Sequence, residues 1–448
     1  MKRQGAHIPS KKSDPVIKPK ITGGIFLMGM FAGYGWDETL QGFPPGPGPS
    51  PVQWGCHLFV DQELGDDATG LRNDLVFKYE TIAAAVADAV AGDIIYILNG
   101  VFAIPVGGLW GGKRLTIYCE PGVEISGANI NTTIVDGCQI RGYGIITDTD
   151  NFLIVNPGTV YFEAQTFNLY RFNPQGADSC TIWAWGDINQ GSYFQPYLGE
   201  YHITMTFQNW NFLKTEAGPN LACIQPLHIA GSSLEFNGTI NFLDSAPSGM
   251  AVEFIAGFYF SQYEADFVHN GDSHNYMKQN AHSIRAYFNY TAPLVLADKN
   301  RKFEFNGDIY KYEAGTVIQN SAGYVKIKGK VYTDSVSALN PIVINSDQGG
   351  VNQPGVIEFG PDSVIVMTDT SQAGNYPVIL LGDDTSTIIV NGMLMLADDS
   401  YRWCDATAAG TEIKIQGGSV RGNPRPEGAN VTNLIAAYQY EQDILITF

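Results

Sequence analysis

Paired cysteines are missing from this chain. Cys56, Cys119, Cys138, Cys180, Cys223 and Cys404 are scattered and form no CxxC pair, so their spacing encodes neither a zinc site nor a disulfide framework. All six are compatible with free thiols in a reducing cytoplasm. Charge is also scarce, at 16% of 448 residues, and the balance is acidic, at −19. Phosphate binding needs a basic face, which excludes nucleic acid as the main partner. The one extended apolar stretch, 21–36, is interrupted by five glycines and is too short for a membrane span. What remains is a chain rich in Gly (50 residues) and aromatics (12%), a composition of strands and tight turns and not of helical bundles or disorder.

Charge is unevenly distributed. Residues 1–20 carry Lys2, Arg3, Lys11, Lys12, Lys18 and Lys20 against the single acid Asp14, leaving 20 basic and 44 acidic residues in the remainder. A basic segment followed by an apolar one is the order of a signal peptide, but this basic segment is unusually long. Residues 1–41 are therefore expected to be an uncleaved anchoring arm whose six cations dock into a larger assembly. Residues 42–51, GFPPGPGPSP, hold five prolines and form an extended linker.

Residues 52–98 read as an entry segment. Thr81 is placed to cap a helix whose Ile82, Ala85, Val86 and Ala89 share one face. Gly92 suits the left-handed position past the helix end, and Ile94–Leu98 is an apolar run expected of a strand buried on both faces. From 99 to 448 one phrase recurs: LEFNGTI (234–240), FEFNGDI (303–309), VKIKGKV (325–331), IIVNGML (388–394) and IKIQGGS (413–419), with IEFGPDSV (357–364) and QIRGYGII (139–146) as looser relatives. Alternation turns one side of each phrase inward, and the polar-Gly pair is expected to supply the positive φ of a tight corner. The glycines at 307, 329, 360, 392 and 417 recur at uneven intervals, each the length of one solenoid coil with loops of varying size. A layered α/β unit and a multi-domain β-sandwich are the structural rivals. The C-terminal ANVTNLIAAYQYEQDILITF (429–448) is expected to close the last coil or pair with a neighbour.

The order of Asp/Gly-rich loop, short helix, Gly stop and apolar strand in 58–102 resembles the entry to the pectate-lyase-type right-handed parallel β-helix found in phage tail spikes and fibres. That resemblance implies an all-β solenoid closed by a capping helix. It also implies a parallel homotrimer on a virion, assembled in the host cytoplasm, attached to other virion proteins by its arm and facing bacterial surface polysaccharide. A polysaccharide depolymerase on the same scaffold is the first alternative, and a bacterial surface adhesin the second.

Enzymes of that fold resemble one another in phrases this chain lacks. Thr147-Asp148-Thr149-Asp150 faintly echoes an Asn-Thr-Asp strand, and Asp66-Asp67, Asp383-Asp384 and Asp398-Asp399 are Asp pairs, but no Gly-His-Gly or Arg-x-Lys follows. Glycoside hydrolysis needs two carboxyls roughly 5–10 Å apart across a cleft. Glu163, Asp187, Glu253, Glu264 and Asp266 are the candidates, and the expectation leans towards a non-enzyme. No cofactor and no metal are expected. Asp266, His269, Asp272 and His274 cluster, as do Asp61, Asp66, Asp67 and Asp74, but polar turns explain both groups. Between 161 and 290 aromatics are far denser than their 12% share of the whole chain. These rings would fill an enlarged coil, form a subunit interface or stack on sugars, with Trp183, Trp185, Tyr193, Tyr197 and Trp210 as the glycan or interface candidates. Two contacts between coils are also expected: Cys119 stacks on Cys138 one coil away, and Glu304 pairs with Lys326.

Overall fold

The computed structural model describes most of 56–421; residues 1–55, 422–448 and several connections, including 129–135, 214–223, 244–257, 277–283, 288–302 and 334–342, lie outside the described residues. The chain divides between Val52 and Gln53 into two units, and the described residues all belong to the second. The anchoring cations, the Pro linker and the C-terminal 429–448 segment are outside the described residues.

Among those residues the chain is mostly strand, with one helix, and every strand pairing is parallel. One ladder of pairings runs from His57–Asp61 through Ile94–Asn99, Thr116–Cys119 and Gln139–Gly142. It continues through four long strands, Gly158–Pro174, Ser179–Gln190, His202–Leu213 and Ser233–Leu243, and ends at Glu412–Ile415. A second ladder runs beside it from Val101–Ala103 to Val420–Arg421, and the four long strands belong to both. A third, separate ladder links Phe258–Phe260 to Arg402–Asp405. Each strand thus pairs with the equivalent strand one circuit of chain later. Circuit length varies: the circuit that returns Ile95 to Ile117 is short, and the one that returns His269 to Phe305 is much longer. At about 4.8 Å per rung the first ladder is roughly 60 Å long.

The recurring phrase is the junction of the first two ladders. In FEFNGDI, Phe303–Phe305 lies in the first ladder and Ile309–Lys311 in the second, with Asn306-Gly307 at the corner. The sequence VHNGDSH is the same corner, from Asp266–His269 to Ser273–Asn275. Its inward position holds His269, a polar residue that hid the alternation.

Glycine at these corners answers two different needs. Gly186 and Gly238 have φ of 112° and 146°, as a tight corner requires. A Cβ at either would also come within 2.0 and 2.2 Å of the Ala164 and Phe207 carbonyl oxygens, respectively, whereas Gly271, Gly307 and Gly329 are outside the positive-φ region and close approach alone excludes a side chain. A Cβ at Gly271 would sit 2.0 Å from the carbonyl oxygen of Gly238, one at Gly307 1.9 Å from that of Gly271, and one at Gly329 2.0 Å from that of Gly307. The corners stack so tightly that each glycine is set by the one before it. The expectation of positive φ fails at Gly307 and Gly329, which stand in the recurring phrase.

Inward side chains stack rung upon rung. Ile95, Ile117, Ile140, Phe162, Ala184 and Phe207 form one inward column, and in the neighbouring column Met205, Phe236, His269 and Phe305 follow in register, with Phe212 and Phe242 stacked deeper in the core. Trp210 is among the largest fully buried side chains, with 0% exposure. It stacks on Phe212 at 5.0 Å and meets Phe194 edge-on at 5.1 Å. The aromatic enrichment of 161–290 therefore fills the core, at least at Phe194, Phe207, Trp210, Phe212, Phe236 and Phe242.

The helix Ile82–Asp88 closes onto the first strands with Ile82, Ala85 and Val86 buried. Thr81 Oγ1 accepts from the Ala84 N–H at 3.2 Å, an N-cap. The last carbonyls find a cation: Lys113 Nζ donates to Val86, Ala87 and Ala89 at 2.7, 3.1 and 2.8 Å, favourable against the negative end of the helix dipole. Gly92 has φ of 97°, as expected.

Two packing expectations change. Cys119 lies opposite Gly142, not Cys138, because this circuit is a few positions longer than the spacing of the two cysteines. Cys138 instead donates to the Lys113 carbonyl at 3.4 Å. Cys56, Cys119, Cys138 and Cys180 are free thiols, and burial pushes Cys119 and Cys180 up to about 12, so both are unreactive. Glu304 and Lys326 are direct register partners, but Lys326 reaches Glu358 at 2.8 Å and Lys328 meets Glu304. The column Glu235, Val268, Glu304, Lys326, Glu358 and Ile389 is one continuous outward file.

Candidate functional site

Outward positions of the ladders carry the chain's surface chemistry, because alternation sends every second residue away from the core. On the second ladder, Thr147, Asn168, Asn189, Asn211 and Asn241 are successive register partners. Each asparagine Nδ2 donates to the residue one rung earlier: Asn168 to Thr147 Oγ1 at 3.3 Å, Asn189 to Asn168 Oδ1 at 3.1 Å, Asn211 to Asn189 at 3.0 Å and Asn241 to Asn211 at 2.8 Å. Each such bond contributes roughly 1 kcal/mol, and a slip by one residue would break the whole file at once. A shorter file crosses the corners, from Asn306 to Asn270 at 2.5 Å and Asn270 to Asn237 at 2.8 Å.

The same column then turns aromatic. His274, Tyr310 and Tyr332 follow Asn241 in register and stack at 4.5 and 4.7 Å with planes 4° apart. Tyr276 stacks on Tyr312 beside them at 4.5 Å, and His274 Nδ1 is 2.9 Å from the Tyr312 hydroxyl. Burial first, then the carboxylates of Asp308 and Asp272, push the Tyr310 phenol up to about 12. Burial also lowers the His274 pKa. Both rings are neutral at physiological pH.

On the first ladder, Tyr161 and Trp183 are outward register partners, as are Glu163 and Trp185. Arg141 lies over the Tyr161 ring, 5.0 Å from its centroid, and its Nη1 is 3.5 Å from Glu163. Two tryptophans, a tyrosine, a cation and a carboxylate thus share one half-buried outward patch. Trp183 and Trp185 belong to it. Trp210 does not: its position on the inward side makes it a core residue, which corrects its place among the glycan or interface candidates. Tyr193 and Tyr197 lie outside the described residues.

The candidate carboxylates are dispersed. Glu163 is held by Arg141, whereas Asp187 is exposed beyond the next corner, where it accepts from Asn209 Nδ2 at 3.0 Å and opposes Thr166 in register. Glu163 and Asp187 are therefore not cross-strand partners. Asp266 begins a strand several rungs away, and Glu253 and Glu264 lie outside the described residues.

The two polar clusters resolve as turns and core. Asp61 accepts from the Glu63 and Leu64 N–H groups, Asp66 from Ala68, and Asp74 from Val76 and Phe77. Asp67 accepts from Glu80 N–H, Thr81 N–H and Thr81 Oγ1 at 2.8, 2.9 and 2.7 Å. These carboxylates shape the entry loop. In the second cluster His269 points inward and His274 outward. Among the described residues no three His, Cys, Asp or Glu side chains converge on a point that would hold a metal.

His269 is 1% exposed. Its Nε2 lies 2.9 Å from the Gly238 carbonyl, which only accepts, so Nε2 carries the proton and Nδ1 accepts from Ser273 Oγ at 3.2 Å. Burial lowers its pKa to about 4, against smaller opposing effects of the Gly238 bond and Asp272. The unfolded chain therefore takes up this proton at higher pH than the folded chain. Stability contributed here is complete above about pH 6.5 and falls as pH drops towards 4, by roughly 3 kcal/mol. Denaturant titrations between pH 7 and 4 should show that slope, and His269→Gln should reduce it.

Among the described residues no helix is long and apolar enough to cross a membrane. No protein-family model, curated protein or solved structure matches the chain.

Proposed function

We propose that this chain is a structural appendage of a virus particle, a fibre or spike built as a right-handed parallel β-helix. It works as a homotrimer that contacts bacterial surface glycan along its side and attaches to other virion proteins through its basic N-terminal arm. One observation carries this reading: the parallel register is reinforced along its length by stacked glycine corners, amide files and aromatic files. Such a body is stiff along its ladders and uses its outward polar residues to hold its own register. That suits transmission of contact, not a cleft that binds and cleaves.

The Tyr161, Trp183 and Trp185 patch with Arg141 and Glu163 is the glycan-facing candidate. Aromatic faces take the apolar side of a sugar, and the ionic pair offers hydrogen bonds to its hydroxyls. Titrating a panel of purified capsular and O-antigen polysaccharides against intrinsic tryptophan fluorescence tests this. Trp183→Ala with Trp185→Ala is expected to weaken binding about tenfold or more with the fold intact, and unchanged binding would remove the patch from the account. Shortened chains in the same incubation would identify a depolymerase instead. Sedimentation as a clean monomer would contradict the trimer.

A further inference from the structure

We propose that the entry loop, residues 62–78, is a docking surface for a second protein that presents a basic, apolar-studded segment. The loop exposes Leu64, Leu71, Leu75, Val76 and Phe77, with Val76 at 78%. Isolated exposed apolar residues are ordinary, but a contiguous group is not. Here the Leu71 N–H donates to the Phe77 carbonyl at 2.9 Å, placing Leu71 beside Leu75-Val76-Phe77.

The loop is also rigid. The Asp66 N–H donates to the Lys78 carbonyl at 2.9 Å and the Asn73 N–H to the His57 carbonyl at 2.6 Å. Asp74 Oδ1 holds the N–H groups of Val76 and Phe77. Gly65 and Gly70 pack so closely on Tyr79 that a Cβ would come 2.1 Å from its carbonyl oxygen and 2.6 Å from its ring, respectively. A surface held this firmly loses little entropy on binding.

Charge identifies the partner. Both loop cations are paired with buried acids, Arg72 with Asp93 at 2.6 Å and Lys78 with Asp61 at 3.0 Å. Glu63, Asp66, Asp67 and Glu80 are exposed around the apolar group. An apolar centre with an acidic rim selects apolar anchors flanked by Lys or Arg. This surface is separate from the glycan-facing patch, so either assignment can fail without the other.

The probe is a synthetic amphipathic peptide of Leu and Lys, with a Leu/Glu peptide as its counterpart, titrated calorimetrically into the full chain. The basic peptide should bind, the acidic one should not, and Val76→Ser with Phe77→Ser should weaken binding about tenfold. Glu63→Gln with Glu80→Gln should weaken it likewise and reduce its salt dependence. Equal affinity across the variants, or equal binding of the acidic peptide, overturns the proposal. So does loss of an oligomer in the Val76→Ser, Phe77→Ser variant by sedimentation, because a second copy would then occupy the face.

Discussion

Gly307→Ala is expected to destabilise the protein by about 3–5 kcal/mol, although it adds one methyl group. The new Cβ would lie 1.9 Å from the Gly271 carbonyl oxygen, a backbone atom that cannot rotate away. Relief requires the rungs to separate, and they are tied on each side: the Asn306 N–H donates to His269 at 2.9 Å and the Lys328 N–H to Phe305 at 2.8 Å. Gly92→Ala is the informative control. Gly92 has φ of 97° and open space around its missing Cβ, so its substitution carries only the conformational penalty, about 1 kcal/mol. Chemical denaturation of both variants separates the effects. Equal, small losses would mean that the corners do not stack closely.

Trp210→Ala is expected to cost about 4–5 kcal/mol. Truncation empties a site lined by Phe194, Phe207, Phe212 and Phe236, all within 5.5 Å of the indole centroid. It also removes the indole N–H that donates to Gln190 Oε1 at 2.9 Å, leaving a fully buried amide oxygen without that bond. Trp210→Phe keeps most of the volume and loses the donor, so about 1–3 kcal/mol remains. Thermal melts of the two variants rank these contributions. A mild Trp210→Ala would place the ring at the surface and restore it as a glycan candidate.

Much of the architecture was legible because its corner is a short local phrase. LEFNGTI, FEFNGDI and VKIKGKV each hold a strand of one ladder, a corner and the start of the next. The helix at 82–88 was equally legible, since its cap and apolar face are local. Features set between circuits were harder to read. The partner of Cys119 depends on the length of one circuit, and a shift of a few positions replaces Cys138 by Gly142. VHNGDSH reads as a polar turn, but its inward histidine, held by the Gly238 carbonyl and Ser273, hides its kinship with the recurring phrase. The asparagine file is invisible along the chain: its members are 21 to 30 residues apart and become neighbours only when the circuits stack. A file of identical amides recurring at coil-like intervals is the signal that could have revealed it. Trp210 looked like its neighbours Trp183 and Trp185, and only strand parity separates them: it shares the inward side with Phe212, whereas Trp183 flanks inward Ile182 and Ala184.

Circuits that stack one per rung along a continuous parallel register fix the distances between surface positions, and spin labels measure these most directly. Labels at Tyr143 and Asn270, five rungs apart in the first ladder, are expected about 24 Å apart at ~4.8 Å per rung. Labels at Tyr143 and Lys330, about seven rungs apart, are expected near ~34 Å. Both distances follow rung number and not the length of chain between the labels. Distances that scatter without that progression, or that place residue 330 closer to 143 than residue 270 is, would contradict the stacked register.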